Sequence, residues 1–205
     1  MNRIKLAYLA SGGGSSIEEL VKKIKNGSLD GFESKLIICD KEKGSAGVYE
    51  RARELGILIF QAKDPEYQFK ILSTYPIDLI LGLGFVKKVS NKILDKYKDR
   101  VLNIHPTLLP KHGGKGMYDL ATHMAVLESG DEYTGATVHL MDPEYDKGKI
   151  LRQIKVPVPE ELIGKPSIEN AKKLQQYVLS EEYQLMPEVL RRIRDGQLST
   201  GYIRQ

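Results

Sequence analysis

The chain predicts an α/β fold, with a mostly parallel central sheet, helices on both faces and an antiparallel C-terminal portion. Three observations carry that reading. Strand-like apolar runs alternate with segments of helical spacing through the first hundred residues, the pattern of a parallel sheet with right-handed crossovers. Ile77–Leu83 is almost entirely apolar, as a strand buried on both faces must be. The residues that carry chemistry follow the strands, where ligands of open parallel sheets bind.

In order, Ile4–Leu9 reads as the first strand, and the glycine-rich turn Ser11–Ser15 follows it. Ile17, Leu20, Val21 and Ile24 have helical spacing. Lys35–Cys39 reads as a second strand, Val48–Leu55 as a helix and Ile57–Phe60 as a third strand. Phe69–Tyr75 is a further helix, Ile77–Leu83 the fourth strand and Val101–Ile104 the fifth. Residues 118–129 read as helical. Thr134–Met141 and Ile150–Val158 read as two strands joined by the Asp142–Lys149 loop, and residues 167–194 form the longest helical stretch. No linker interrupts this order, so a single domain over 1–195 is expected, with halves at 1–100 and 101–195 and a polar tail at 196–205.

Composition narrows the classes. Hydrophobic content of 41% and charged content of 28% suit a globular chain with an ordinary core. No apolar run approaches the roughly 20 residues of a membrane span, and the N-terminus runs into a strand with no signal-peptide pattern. The net charge of +4 comes from interspersed rather than massed Lys and Arg, so nucleic acid is not an expected partner. The single cysteine, Cys39, lies in the run Leu36-Ile37-Ile38-Cys39 and reads as a buried, inert thiol. No Cys/His cluster has metal-ligand spacing.

Three patterns carry chemistry. Ser11-Gly12-Gly13-Gly14-Ser15-Ser16 follows a strand and opens a helix. Its glycines let the backbone approach a ligand, and the helix N-terminus offers amides and partial positive charge to phosphate; an ordinary tight turn is the alternative. In Asn103-Ile104-His105-Pro106, strand alternation puts Asn103 and His105 on one face, and Pro106 stops the strand. With Asp146 in the later turn Tyr145-Asp146-Lys147-Gly148, these residues offer an amide donor, an imidazole and a carboxylate. Such a set can stabilise an oxyanion and move a proton at neutral pH. The carboxylate is expected to raise the imidazole pKa. Finally, Glu182 interrupts the apolar stripe Leu174, Val178, Leu185, Val189, where a carboxylate is costly unless it has a partner or reaches water. His112 and His123 read as loop and helix-surface residues, and His139 as a pocket-wall residue ranked below the other three.

Asn103-Ile104-His105-Pro106-Thr107-Leu108-Leu109-Pro110, with Gly135-Ala136-Thr137-Val138-His139 and Tyr145-Asp146-Lys147-Gly148, resembles the folate-dependent formyltransferase family. Asn-Ile-His-Pro together with Gly113-Gly114-Lys115-Gly116-Met117-Tyr118 looks most like its phosphoribosylglycinamide branch. The resemblance runs from about residue 4 to about residue 195. It implies a Rossmann-like formyltransferase fold and transfer of a formyl group from 10-formyltetrahydrofolate, as co-substrate and without a metal, to the amine of glycinamide ribonucleotide in purine biosynthesis. It implies catalytic roles for Asn103, His105 and Asp146, and phosphate and ribose contacts at Gly13, Gly14, Ser15, Ser16 and Glu182. Folate contacts fall to Phe85, Val86, Lys87, Val89, Asn103, Leu140 and Met141. The first half would then bind phosphate, and the second would bind folate and catalyse. The family usually has Asn at the position of Ser16, Met-Arg-Ile at Val86-Lys87-Lys88 and Pro at Lys149. The expected protein is a cytoplasmic monomer or homodimer acting on small molecules, with neither nucleic acid nor membrane. The alternatives are an N-formyltransferase for another amine, such as an amino sugar nucleotide, and a non-catalytic anion- or nucleotide-binding domain of the same fold.

Overall fold

The computed structural model describes residues 3–201. Residues 202–205, the end of the polar tail, lie outside the described residues. The chain divides into two compact units, Met1–Asn103 with Leu190–Gln205, and Ile104–Val189. The first division falls inside a strand.

The first unit is built from β1 (Ile4–Ala10), α1 (Ser15–Lys25), β2 (Phe32–Cys39), α2 (Val48–Leu55), β3 (Leu58–Gln61), α3 (Pro65–Thr74), β4 (Leu79–Gly82), α4 (Asn91–Lys96) and the start of β5 (Val101–His105). Its strands lie in the order β3-β2-β1-β4-β5, and every pairing is parallel. The central strands β1 and β4 are buried along nearly their whole length. Their β-branched and leucine side chains fill both faces, which is why they read as unbroken apolar runs. Cys39 is fully buried at the end of β2, as its apolar neighbours imply.

Strand order reverses between β1 and β4, and parallel sheets open a crevice at such a point. The turns after these two strands meet there. The Ser11 amide donates to the Gly84 carbonyl at 2.9 Å, and the Val86 amide donates to Ser11 Oγ at 3.1 Å. Gly82, the last residue of β4, pairs with Asn103 on β5.

Two differences from the sequence reading have local causes. Helix α3 begins a turn earlier than its apolar spacing suggests, because Asp64 caps it by accepting from the Tyr67 amide at 2.9 Å and Pro65 opens it. Helix α4 was not anticipated; at six residues it is too short to show a period.

The second unit holds the end of β5, α5 (Leu120–Glu128), β6 (Tyr133–Leu140), β7 (Ile150–Pro157) and most of α6 (Ile168–Arg194). β6 and β7 are antiparallel, with a register shift between Val138 and His139. Such irregularities re-aim the side chain beside them, and here that side chain is His139. The turn between the strands needs Gly148, because any Cβ there would run into the Leu140 carbonyl.

The glycine turn of the first unit also has a strict requirement. Gly14 sits at φ 79° as the N-cap of α1, and a Cβ would lie 2.7 Å from Val48 Cγ2. Gly14→Ala is expected to lower the midpoint of chemical denaturation by the equivalent of about 1–3 kcal/mol, from left-handed strain and the Val48 contact. An unchanged midpoint would show that the chain leaves β1 by some other path.

Candidate active site

Within the second unit, β5 ends at His105, whose side chain is buried and 4% exposed. The following segment is fastened by hydroxyls and amides from β6 and β7. Thr137 Oγ1 donates to the Thr107 carbonyl at 2.6 Å and accepts from the Leu109 amide at 3.1 Å. Gln153 Nε2 donates to the Leu109 carbonyl at 2.9 Å. Thr107 Oγ1 reaches the Lys111 carbonyl at 3.1 Å. Thr137 and Gln153 were not singled out in the sequence. Thr137 lies in the Gly135–His139 motif, which was the available signal; Gln153 left none.

Asp146 stands at φ 56°, a left-handed conformation that Asp tolerates better than most residues. One carboxylate oxygen accepts from the Gly114 amide at 2.9 Å and faces His105 Nδ1 at 3.6 Å. The other faces His139 Nε2 at 3.5 Å. His139, read from the sequence as a pocket-wall residue, thus lies on the same carboxylate and completes a His105–Asp146–His139 cluster. The bulge beside it is a tertiary feature with no sequence mark. His139 Nδ1 is bound to the Leu140 carbonyl at 2.9 Å, which fixes the ring.

The electrostatics differ from expectation at His105. Burial lowers its pKa below the ordinary imidazole value, and the opposing effects of the Asp146 charge and the His112 carbonyl do not make up the difference. The ring is therefore neutral at pH 7, where a raised pKa was expected. Burial alone would raise the Asp146 carboxyl. The His139 hydrogen bond, the His105 charge and the Gly114 amide outweigh it and hold Asp146 below the usual carboxylate range. A neutral acceptor beside a fixed anion is arranged to receive a proton and to hold the resulting cation.

His112 lies in the loop, as expected, with its imidazole on Asp131. His123 is not on a helix surface. It is 1% exposed, and burial lowers its pKa to about 4. Its Nδ1 has no hydrogen-bond partner among the described residues.

On α6, Leu174, Val178, Leu185 and Val189 are buried, and Glu182 lies in their stripe. The side chain is half-buried, and burial raises its carboxyl to about 8. Leu140 is buried and Met141 half-buried at the end of β6.

In the first unit, Gly13 is exposed, and Gly14, Ser15 and Ser16 are half-buried at the start of α1. No side chain caps the helix, so its first-turn amides point outward. Arg51 secures this turn, donating to the Gly13 carbonyl at 2.7 Å and to Glu18 at 2.6 Å. Phe85 and Val89 are buried, Val86 is half-buried and Lys87 is exposed. Asn103 is half-buried on β5.

A family profile described as formyl transferase matches residues 4–190. The chain belongs to the formyl transferase family. Phosphoribosylglycinamide formyltransferase of Escherichia coli strain K12 is 31% identical over 204 residues, covering 95% of this chain and 89% of the relative. The chloroplastic enzyme of the same name from Arabidopsis thaliana is 37% identical over 201 residues, covering 92% of this chain. The chain spans 64% of that plant relative's length and 61% of the Vigna unguiculata one. Among solved structures, glycinamide ribonucleotide transformylase 1 of Symbiobacterium toebii has a TM-score of 0.82 at 28% identity, covering 98% of this chain and 92% of that one. Phosphoribosylglycinamide formyltransferase of Bacillus halodurans has 0.79 at 26% identity, covering 98% and 100%. The α/β fold with a parallel N-terminal sheet and an antiparallel C-terminal portion is thus that of the formyl transferase family. Among the described residues, no helix is long and apolar enough to cross a membrane, and no His/Cys/Asp/Glu group could hold a metal ion.

The raised Glu182 carboxyl makes a sign-specific prediction. With a folded pKa near 8 against an ordinary 4.5, the unfolded chain releases this proton first. Stability is fully present below the unfolded pKa and falls as pH rises through about 8. Residual solvent access of the half-buried side chain moderates the loss. Glu182→Gln should melt like wild type near about pH 4 and above it near about pH 9; an equal melting temperature at both would mean that the carboxylate is well solvated.

Proposed function

We propose that this chain transfers the formyl group of 10-formyltetrahydrofolate to the amine of glycinamide ribonucleotide, in purine biosynthesis. The observation that supports this reading most is the buried His105–Asp146–His139 cluster at the end of β5 in a chain of this family. Family members matched over most of their length are named phosphoribosylglycinamide formyltransferase.

In the proposed reaction the amine nitrogen attacks the formyl carbon, giving a tetrahedral intermediate with a negative oxygen. The Asn103 amide donates to that oxygen. The attacking nitrogen must lose a proton, and the neutral His105 ring is the acceptor at hand. The cation so formed is stabilised by the ionised Asp146 carboxylate. His105 then returns the proton to the folate nitrogen as the carbon–nitrogen bond breaks. Formyl moves from one nitrogen to another, and no covalent enzyme intermediate is needed.

The ligand contacts are those that the family resemblance implies, taken residue by residue. The amides at Gly13, Gly14, Ser15 and Ser16 are assigned to the substrate phosphate. Glu182 is assigned to the two ribose hydroxyls, which a carboxylate accepts from together. Phe85, Val86, Lys87, Val89, Leu140 and Met141 are assigned to the folate, with Asn103 shared between it and the reacting centre. The proposal includes a cytoplasmic enzyme, monomeric or homodimeric, with small-molecule substrates alone and no metal in the reaction.

The test is a folate-absorbance assay with 10-formyltetrahydrofolate against a panel of amines. Turnover with glycinamide ribonucleotide well above that with amino sugar nucleotides supports the reading, and the reverse order overturns it. His105→Ala is expected to lower turnover by on the order of 10²-fold or more with folding intact. The kcat/KM profile should rise with pH as the free His105 ring loses its proton, with a midpoint below the ordinary imidazole value of about 6.5. Asp146→Asn should lower turnover and move that limb to lower pH, since the neighbouring anion is what raises the His105 pKa. A limb that stays in place would detach the two residues. Glu182→Gln should raise the KM for the ribonucleotide several-fold, a loss of about 1–2 kcal/mol, and leave the folate KM nearly constant.

A further inference from the structure

We propose that His112 is a positioning residue for His105: its main-chain carbonyl takes the His105 Nε2 proton, and its imidazole, clamped by Asp131, holds that carbonyl in place. The inference rests on the formyl-transfer reading for its kinetic consequence, although its structural part stands by itself.

His105 Nε2 lies 2.9 Å from the His112 carbonyl oxygen. A carbonyl can only accept, so Nε2 carries the hydrogen. A neutral imidazole has one such hydrogen, which leaves the lone pair on Nδ1. Nδ1 is the atom that faces Asp146 Oδ2 at 3.6 Å. The proton moved in the reaction therefore arrives at Nδ1, and the cation it makes is held between a carbonyl on one side and a carboxylate on the other. If the other tautomer were present, Nδ1 would already carry a hydrogen and could not accept the proton beside Asp146.

The acceptor that sets this tautomer belongs to a residue in an unusual conformation. His112 has φ 55°, a left-handed backbone seldom adopted by residues with a β-carbon unless the surroundings enforce it. The enforcing contacts come from the far side of the ring. His112 Nε2 lies 2.8 Å from Asp131 Oδ2 and 3.4 Å from Ser129 Oγ. Asp131 itself is bound by Lys111 and sits at the C-terminal turn of α5, where its amide donates to the Val126 carbonyl. Burial alone would raise the Asp131 carboxyl, but the hydrogen bonds from Lys111 and His112 outweigh it and keep it ionised. The clamp is thus charge-assisted and tied to a helix end, the kind of outer support that orients a reacting imidazole. His112 and Asp131 also line an open groove of about 470 Å³ with Lys111, Tyr133 and Lys155, so a substitution at either position borders solvent.

The experiment reads the tautomer directly. Imidazole nitrogens of the full-length, ligand-free chain labelled with ¹⁵N-histidine are observed by two-bond proton–nitrogen correlation at a pH where His105 is neutral, with its signals identified by their loss in His105→Asn. Wild type is expected to show the Nε2–H form alone. His112→Leu removes the donor to Asp131, and Asp131→Asn weakens the clamp from its other end with almost no change in volume. Both are expected to give a mixed His105 tautomer and a kcat lower by about tenfold, with both KM values within about twofold of wild type. His112→Asn keeps a donor and tolerates the left-handed backbone, so it should restore the single tautomer and most of kcat. An Nδ1–H form in wild type would overturn the proposal. A folded Asp131→Asn protein with a pure Nε2–H signal and wild-type kcat would overturn it as well, even if His112→Leu failed to fold. Absence of turnover with every amine would instead sink the formyl-transfer reading, since the tautomer is measured without substrate.

Discussion

The buried His105–Asp146–His139 cluster depends on one carboxylate. Asp146 is held at φ 56° in a short turn between two antiparallel strands, and its two oxygens face two different histidines. The same side chain also accepts an amide from the loop that follows β5. Three separate stretches of chain, around residues 105, 114 and 139, therefore converge on a single anion. An uncompensated buried carboxylate would be expensive; with two imidazoles and an amide about it, Asp146 stays ionised and becomes the feature around which the neighbouring groups are ordered.

Burial acts in opposite directions on the two kinds of ionisable group, and the protein uses both. It disfavours the cation at His105, which keeps a proton acceptor available at neutral pH. It disfavours the anion at Glu182, which costs stability as pH rises. Perturbed groups of this kind concentrate where ligands bind. The surrounding scaffold contributes rigidity rather than charge: Thr137 and Gln153 fasten the segment after β5 through its main-chain carbonyls and amides, so the position of His105 does not rely on loop residues alone.

In the first unit, the reversal of strand order between β1 and β4 brings two turns together, and Ser11 joins them through its amide and hydroxyl. Gly14 has the left-handed backbone that lets α1 start immediately after this turn, and Val48 leaves no space for a larger residue. A helix N-terminus uncapped by side chains is produced by chain geometry, and Arg51 is committed to holding the turn through Gly13 and Glu18.

Residue type and position made Asn103, His105 and Glu182 candidates, and the family resemblance added Asp146; the sequence by itself determined the α/β class, the strand and helix order and the glycine turn. Those features are local, since strand burial, helical period and turn chemistry are written into neighbouring residues. It missed α4, which is too short for a period, and the early start of α3, which is set by a cap. Tertiary structure alone decided the membership of His139 in the cluster, because a strand bulge aims it. It decided the burial of His123 and the approach of the His112 main-chain carbonyl to His105 Nε2, a contact that no side-chain pattern reports. It also decided the direction of the His105 pKa. A sequence shows that an anion is present, but the balance between that anion and desolvation depends on how much water the folded chain excludes, and only packing sets that.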